Sequence, residues 1–402
     1  METANAVFVC ESARTPIGRF GGVLKTFSAL DLGVITLKHL IEKTGLPAEL
    51  IDEVIVGQSY GSADAPNIAR ALVLDAGLPD TVCGYQVDRR CGSGLQAIIE
   101  GFMLIKTGKA DLVIAGGAES MSQAPFYNTM ARWGAQGEIT LRDSLKYGRM
   151  YAGGQKEPVP GGMIQTAENL RREFSISRQA QDELALQSHM RAIQAIESGK
   201  FSAEIVGISV KDRIVATDEH PRADTTLEKL ASLKPLLLSQ DPTATVTAGN
   251  SSGQNDAACF CILASARMVE KLNLTPRAEL IDWAVAGVPS ATMGIGPVPA
   301  TRKVLERARL TLSDIDLIEL NEAFAAQVLA CTHQLGLGQD DFSRINVNGS
   351  GISLGHPIGA TGARLLTNLT RELHSSGASY GLATMCIGGG QGLAAIVKNV
   401  NH

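Results

Sequence analysis

The chain has 402 residues, 45% of them hydrophobic and 42 of them glycine, which suffices for a folded globular protein of two or three domains. A formal net charge of −5, without a long lysine or arginine run, argues against a nucleic-acid or anionic-membrane surface. No apolar run approaches the ~18 residues of a membrane span, and no basic start followed by an apolar stretch opens the sequence. We therefore predict a cytoplasmic protein that binds neither nucleic acid nor membranes.

The first part of the chain alternates between predicted strands and helices. Apolar and β-branched runs predict strands at 6–9, 54–57 and 110–115. Helical periodicity predicts helices at 28–43, 67–75 and 95–106. This alternation is typical of layered α/β folds.

The last part of the chain repeats the same scheme. Strands are predicted at 278–285, 317–319 and 382–385, and helices at 299–308, 323–334 and 359–373. The glycine-rich segment 348–351 precedes helix 359–373 much as the segment 91–94 precedes helix 95–106. We infer an internal duplication with weak sequence identity.

Residues 122–250 differ from both halves, being rich in proline, glycine, arginine and glutamine, with one long predicted helix at 178–198. We interpret this region as an insertion that caps the functional site. An apolar run at 256–269 then predicts a further helix. The expected domains are an N-terminal half (1–121 with 251–274), an inserted loop domain (122–250) and a C-terminal half (275–402).

The seven cysteines are an odd number with no Cys-x-x-Cys spacing, so we expect no disulfide framework. Cys259 and Cys261 could in principle bind a metal, but no matching His or Cys pair lies nearby in the sequence. We interpret both as small buried hydrophobic residues of the predicted helix at 256–269.

Three glycine-rich segments carry the candidate chemistry, and they contain Cys91, His356 and Cys386. A thiolate can attack a carbonyl, an imidazole can activate it, and a second thiol can move a proton. Glycines let backbone N–H groups approach a developing negative charge. The set fits acyl transfer between carbon and sulfur best.

Each candidate also has an ordinary structural interpretation. Cys91 could be a small residue in a glycine-rich turn, and Cys386 a buried thiol at the end of a strand. His356 differs from the other histidines because it lies between glycine and proline at a predicted loop. Asn321 follows a predicted strand, where its amide could hold a water or act only as a helix cap. The glycines after Cys386 do not form a dinucleotide-binding Gly-x-Gly-x-x-Gly pattern.

Taken together, these segments resemble the thiolase family, in the branch of acetyl-CoA acetyltransferases and 3-ketoacyl-CoA thiolases. The resemblance covers essentially the whole chain and rests on six motifs in family order. They are Ala13-Arg14-Thr15-Pro16-Ile17-Gly18, Cys91-Gly92-Ser93-Gly94-Leu95, Gly116-Gly117-Ala118-Glu119-Ser120-Met121-Ser122, Asn321-Glu322-Ala323-Phe324-Ala325, Gly355-His356-Pro357 and Met385-Cys386-Ile387-Gly388-Gly389-Gly390-Gln391-Gly392.

The resemblance implies catalytic roles for five residues. Cys91 would be acylated, and His356 would activate it and bind a thioester oxygen. Cys386 would remove the α-proton of the second acetyl-CoA in synthesis, or protonate the acetyl-CoA enolate in thiolysis. Asn321 would fix a water that, together with His356, forms a first oxyanion hole. The N–H groups of Cys91 and Gly388 would form the second.

The same resemblance implies substrate contacts. Ser252 would contact the pantetheine of coenzyme A, Arg222 its adenine end and Met163 the acyl group, with Ala323 and Phe324 also lining the substrate site. The substrates and products would be acetyl-CoA, acetoacetyl-CoA or another 3-ketoacyl-CoA, and CoA. No metal or redox cofactor is implied, and a homodimer or homotetramer is expected.

The implied fold is α/β, with two similar halves in α-β-α-β-α layers, each built on a mixed five-stranded sheet, plus the inserted loop domain. The implied reaction is the reversible condensation of two acetyl-CoA to acetoacetyl-CoA and CoA through an acyl-cysteine. Three positions depart from the family pattern. Asp88 and Arg90 stand just before Cys91, where family members often carry asparagine and leucine. Gly162 ends an unusual glycine- and proline-rich segment, 151–162, that the sequence does not place, and it stands where the acetyl-specific branch often has histidine. A thiolase for longer or unusual 3-ketoacyl chains is therefore the alternative, and a non-catalytic acyl-CoA-binding relative is a third.

Overall fold

One continuous sheet of ten strands organises the computed structural model, which describes residues 6–134 and 136–401. The strands are β1 Val7–Arg14, β2 Gly18–Arg19, β3 Glu53–Gly57, β4 Cys83–Val87, β5 Leu112–Ser120, β10 Asn255–Ser265, β11 Ala278–Gly287, β12 Leu317–Leu320, β13 Tyr380–Ile387 and β14 Gln391–Asn399. Two separate hairpins pair β6 Phe126–Tyr127 with β7 Arg142–Asp143 and β8 Ile208–Val210 with β9 Arg213–Val215. Residues 1–5 and 402 of the two expected halves lie outside the described residues.

The helices occupy both faces of the sheet and the inserted region. They are α1 Ala29–Thr44, α2 Ile68–Asp75, α3 Ser93–Lys106, α4 Ser144–Met150, α5 Gly162–Glu173, α6 Arg178–Glu197, α7 Leu227–Ala231, α8 Ala266–Leu272, α9 Pro297–Ala308, α10 Ala325–Leu335, α11 Gly351–Leu354 and α12 Ile358–Ser376. Helix α1 begins where predicted, because Ser28 and Asp31 form a capping box, and ends at Gly45 in the left-handed conformation.

The duplication predicted from the sequence is confirmed by the sheet topology. The strand order is β4-β3-β5-β10-β1 in the first half and β12-β13-β14-β11 in the second, joined through β1 and β11. In both halves a parallel pair, β3–β5 or β12–β13, is followed by antiparallel pairs. In the first half β3 also pairs in parallel with β4. The expected five strands are present in the first half. The second half has four, with a single parallel bridge between Ile318 and Ile345 in the fifth position.

Helices α3 and α12 form the central layer, packed against each other and between the two halves of the sheet. Their side chains join those of β5, β10 and β13 in the largest apolar cluster of the described residues. Helices α1 and α2 cover the outer face of the first half, and α9 and α10 that of the second. This is the predicted α-β-α-β-α order.

The predicted helix at 256–269 is wrong: residues 255–265 are the central strand β10, and only 266–272 are helical. All residues of β10 are buried, because the strand pairs with β5 on one side and β1 on the other and is covered on both faces. A strand of this kind shows a continuous apolar run, which periodicity alone does not distinguish from a buried helix. Cys259 and Cys261 are thus buried in a strand.

Strand β5 is longer than predicted, since it continues through Gly116 and Gly117 to Ser120. Both glycines are needed inside the sheet. A Cβ on Gly116 would collide with the carbonyl oxygen of Cys259 on β10, and one on Gly117 with that of Gly359 on α12. The absence of side chains therefore lets α12 rest directly on β5.

We expect Gly117→Ala to lower the free energy of unfolding by about 1–3 kcal/mol or more, because the new methyl group meets backbone rather than a flexible side chain. Gly338→Ala is the matched control, since a Cβ there meets nothing within 4 Å. Urea unfolding midpoints of the two variants check this, and equal midpoints would contradict the close approach.

Candidate active site

Cys91 lies in the turn between β4 and α3, is 8% exposed and immediately precedes Gly92, the N-cap of α3. Burial raises the pKa of its thiol, whereas the N–H of Gly388, the guanidinium of Arg90 and its own N–H lower it. The two N–H groups predicted to form an oxyanion hole therefore face the sulfur of the predicted nucleophile. The fold brings Gly388 next to Cys91, although the two residues are 297 positions apart in the sequence.

Cys386 belongs to strand β13, although the sequence placed it just beyond a strand end. Burial raises the pKa of its thiol well above the usual range, and a charge on Cys91 raises it further. The side chain sits in an apolar cluster with Ala323, Phe324 and the half-buried Met163. The second thiol is therefore protonated at neutral pH and shielded from water.

His356 is buried in the loop before α12, and its Nδ1 lies 2.7 Å from Oγ1 of Thr361. The hydroxyl of Thr361 donates its single proton to the carbonyl of Pro357, at 2.9 Å. Nδ1 must then donate to Thr361, which leaves the lone pair on Nε2. Nε2 has no hydrogen-bond partner among the described residues. Burial, followed by the nearby Arg364, lowers the pKa of His356 to about 3, so the ring is a neutral acceptor.

We expect Thr361→Val to lower the rate of Cys91 alkylation and of turnover roughly 10–100-fold, because the tautomer and orientation of His356 are no longer fixed. Thr370→Val is the matched control. Thr370 is also buried on α12 and also donates to the carbonyl four residues back, but its hydroxyl forms no hydrogen bond with a histidine among the described residues. Iodoacetamide labelling against time measures both variants, and equal effects would contradict this role for Thr361.

Asn321 directly follows β12, and its N–H donates to the carbonyl of Thr384 on β13 at 3.0 Å. The residue is fully buried, and neither polar atom of its carboxamide has a partner among the described residues. A buried unpaired amide is costly, so a bound group is needed to satisfy it. The predicted water-holding role accords with this position beside the strand of Cys386.

Glu119 is a site residue to which the sequence analysis gave no role, although it stands in one of the quoted motifs. Its buried carboxylate accepts from the N–H groups of Ser59 at 3.0 Å, Tyr60 at 3.1 Å and Gly359 at 3.0 Å. Ser59 in turn donates to Asp88 beside the Cys91 turn. Glu119 thus links the turn that carries Cys91 to the first turn of the helix that follows His356. Its negative charge also suits the N-terminus of α12.

Asn255 also fixes the loop that carries His356, through hydrogen bonds that the sequence does not reveal. Its Oδ1 accepts from the N–H of His356 at 2.9 Å, and its Nδ2 donates to the carbonyl of Gly18 at 2.9 Å. Nδ2 also lies 3.3 Å from Nδ1 of His220. Asn255 and Glu119 stand on one face of adjacent strands, since Ala257 pairs with Glu119.

We expect Glu119→Gln to slow Cys91 alkylation and turnover by about 100-fold, because a carboxamide presents its NH₂ to at least one of these N–H donors. Burial raises the pKa of Glu119 to about 7, although the backbone N–H groups that donate to its carboxylate act to lower it. The carboxylate form is required, so wild-type activity should fall as pH drops through about 7.

Asp52→Asn is the matched control for Glu119→Gln. Asp52 accepts from the N–H groups of Asp111 and Leu112 at the opposite end of β5. We expect this control to keep the rate and the acid limb of the wild-type pH profile, while Glu119→Gln loses that limb. A Glu119→Gln profile that keeps the same limb would contradict the assignment.

The predicted coenzyme A contacts fall into two groups. The N–H of Ser252 donates to the carbonyl of Ala323 at 2.9 Å, and Ser251 bridges to Phe324, so these predicted residues lie together beside Cys386. Arg222 lies elsewhere: it is exposed, and its N–H donates to Nδ1 of His189 at 3.2 Å. The structure therefore brings all predicted substrate residues except Arg222 to the apolar cluster around Cys386.

The segment 151–162, which the sequence did not place, packs against the glycine loop after Cys386. A Cβ on Gly388 would lie 3.5 Å from Cβ of Ala152 and 3.4 Å from Sδ of Met163. Gly162 begins α5 with a φ of +60°, and a Cβ there would meet only Arg149, at 3.6 Å. The inserted region thus contributes one wall of the site.

Asp88 and Arg90 do not simply neutralise each other. Their charged atoms are 3.8 Å apart, while Arg90 stacks over the ring of Tyr60 with 4.7 Å to the centroid. Arg90 lowers the pKa of Cys91 more strongly than Asp88 raises it. Arg89 has a different partner, donating to Oε1 of Gln391 at 2.8 Å.

All seven cysteines are free thiols, and only Cys83 is exposed. Within residues 6–134 and 136–401, no group of three or more His, Cys, Asp or Glu side chains is arranged to hold a metal ion. Over the same residues, no helix has the length and apolar character needed to cross a membrane.

Comparison with known proteins assigns the chain. Residues 7–267 match the family described as "Thiolase, N-terminal domain", and residues 274–399 match "Thiolase, C-terminal domain". The chain is 46% identical to "Beta-ketoadipyl-CoA thiolase" of Pseudomonas aeruginosa over 98% of its own length and 99% of that protein. It is 44% identical to "Acetyl-CoA acetyltransferase" of Escherichia coli over 99% of its own length and all of that protein.

A solved structure described as human mitochondrial 3-ketoacyl-CoA thiolase in complex with CoA superposes with a TM-score of 0.93. It is 41% identical, and the match covers 99% of each chain. The protein therefore belongs to the thiolase family and is an acyltransferase.

Proposed function

We propose that this thiolase interconverts a 3-ketoacyl-CoA and CoA with acetyl-CoA and a shortened acyl-CoA, with acetoacetyl-CoA as the shortest substrate. The observation that carries the proposal is the pair of N–H groups, from Cys91 and Gly388, that face the Cys91 sulfur beside a second buried thiol. Relatives named as acetyl-CoA acetyltransferases and a relative solved with CoA support these substrates.

In the first half-reaction, Nε2 of His356 takes the proton of Cys91, and the thiolate attacks the 3-keto carbon. The ring, now carrying a proton on Nε2, and a water held by Asn321 form one site for negative oxygen. The N–H groups of Cys91 and Gly388 form the other. Each such donor typically contributes roughly 10²–10³ in rate.

Cleavage of the bond between the α- and β-carbons then leaves the acyl group on Cys91 and the electron pair on the acetyl-CoA enolate. The thiol of Cys386 protonates that carbanion, a task for which its raised pKa is suited. In the second half-reaction the thiolate of Cys386 takes the thiol proton of CoA, and the CoA sulfur attacks the acyl-cysteine. Acyl-CoA is released, and His356 returns its Nε2 proton to the Cys91 thiolate. Condensation follows the same steps in reverse.

The second candidate is a preference for longer or unusual 3-ketoacyl chains over acetoacetyl-CoA. It is favoured by Gly162, beside Met163, where a Cβ would meet only Arg149 at 3.6 Å, and by the relatives named for β-ketoadipyl-CoA. A non-catalytic acyl-CoA-binding relative is disfavoured, because Cys91, His356 and Cys386 are all present.

We expect Cys91→Ala to abolish CoA-dependent cleavage of acetoacetyl-CoA, whereas Cys83→Ala, at the exposed thiol, leaves it unchanged. Comparison of kcat/KM for acetoacetyl-CoA with a medium-chain and a long-chain 3-ketoacyl-CoA decides between the two candidates. Higher values for the longer chains would establish the second. Activity that survives in Cys91→Ala would refute the mechanism.

The remaining predictions concern assembly and cofactors. We propose a homodimer or homotetramer; the large apolar side chains exposed on the β6–β7 hairpin and its loop support association, among them Phe126, Met130, Trp133, Ile139 and Leu141. We also propose that turnover needs no metal or redox cofactor, since every step above uses side chains, backbone N–H groups and the substrates. Turnover in the presence of a chelator tests the latter.

A further inference from the structure

The hydroxyl of Tyr60 is a buried polar group that the mechanism above does not use. Tyr60 is 6% exposed, and its hydroxyl has no hydrogen-bond partner among the described residues. A buried hydroxyl without a partner is uncommon and unfavourable, and one explanation is a ligand that supplies an acceptor. Charges on Arg90, Arg149 and Cys91 all affect the pKa of this phenol, which burial raises overall.

Two guanidinium groups, those of Arg90 and Arg149, are near enough to lower the pKa of this hydroxyl. Arg90 stacks over the Tyr60 ring and donates to the carbonyl of Ser59 at 3.1 Å. A Cβ on Gly148 would lie 3.0 Å from Nη2 of Arg90 and 3.5 Å from the Tyr60 hydroxyl, so the surface of α4 closes over both. Arg149 follows on the same helix, where its Nε donates to the carbonyl of Leu145 at 2.8 Å. Its two terminal nitrogens donate to the side-chain oxygen of Gln254 at 2.7 and 3.0 Å, a neutral partner that leaves the charge of Arg149 unpaired among the described residues.

This cationic wall is continuous with the predicted acyl pocket. Cβ of Arg149 is the nearest neighbour of a Cβ built on Gly162, and the next residue, Met163, lies against Gly388. Gly388 in turn faces the Cys91 sulfur. An acyl chain that extends from Cys91 past Met163 therefore runs towards α4, where Arg149 lies beside Gly162 and Gly148 lies beside the Tyr60 hydroxyl.

The carboxylates near this wall are already occupied. Asp88 accepts from the N–H of Arg90 at 2.7 Å and from the hydroxyl of Ser59 at 2.8 Å. Glu119 is held by its three backbone donors. The wall thus offers two guanidinium groups and one hydroxyl without a partner among the described residues, which is the chemistry that recognises a carboxylate.

We propose that Tyr60, Arg90 and Arg149 bind the terminal carboxylate of a 3-oxodicarboxylyl-CoA. The inference rests on the proposed thiolase function and selects a substrate class within it. Coenzyme A itself does not require this wall, because its predicted contacts, Ser252 and Arg222, lie outside it.

The test compares two substrates with the same six-carbon chain, 3-oxoadipyl-CoA and 3-oxohexanoyl-CoA, which differ in the terminal carboxylate. We expect wild-type kcat/KM to favour 3-oxoadipyl-CoA at least ~10-fold. Tyr60→Phe keeps the ring under Arg90 and should lower that ratio roughly tenfold. The change should come from a lower kcat/KM for 3-oxoadipyl-CoA, while kcat/KM for 3-oxohexanoyl-CoA stays the same. Tyr85→Phe, on β4, is the matched control and should keep the wild-type ratio.

Arg149→Gln provides a second variant and should lower the ratio while weakening its dependence on salt. Equal kcat/KM for the two substrates in the wild type, or a ratio that Tyr60→Phe and Arg149→Gln leave unchanged, would overturn the inference and leave the thiolase function intact. Failure to cleave these substrates and acetoacetyl-CoA alike would instead refute the proposed function, and the inference with it.

Discussion

The site depends on the close approach of α12 to the backbone of the first half. Gly359, in the first turn of α12, contacts β5 and the start of α3 through its own backbone. A Cβ on Gly94 would lie 2.5 Å from its carbonyl oxygen, and one on Gly117 would collide with it. Larger residues at these positions would separate the two halves and the two loops they carry. Glu119 then fixes the same contact by binding Gly359 and the loop after β3 with one carboxylate.

Burial sets the chemistry of the groups that this contact assembles. It raises the pKa of the Cys91 and Cys386 thiols and lowers that of the His356 imidazole, so each is neutral before substrate enters. A neutral Cys91 requires a base, and the tautomer fixed by Thr361 presents one. Cys386 has the opposite requirement, since only a protonated thiol can deliver a proton to a carbanion. One apolar environment therefore suits two cysteines with different tasks.

Much of this arrangement was predictable, because strand and helix periodicity and the glycine-rich motifs indicated the duplicated α/β halves, and Cys91 and His356 stood in recognisable segments. The strand at 255–265 was not, since burial on both faces removes the period-two pattern on which strand prediction relies. Glu119, Asn255 and Thr361 were missed because they act through backbone and ring nitrogens of residues distant in sequence or at the next helical turn. Their importance arises from contacts, and contacts are not encoded in local patterns. The placement of 151–162 against Gly388 was hidden for the same reason.

The two halves of the sheet meet through only a short pairing of β1 with β11, at Phe8 with Glu279 and Val9 with Ala278. A seam this narrow gives the molecule little mechanical stiffness against rotation of one half relative to the other. Rigidity must come instead from the helical layer between the halves, whose helices α3 and α12 begin just after Cys91 and His356. In this protein α3 and α12, which position the turns of Cys91 and His356, are thus also the helices that hold the two halves in a fixed orientation.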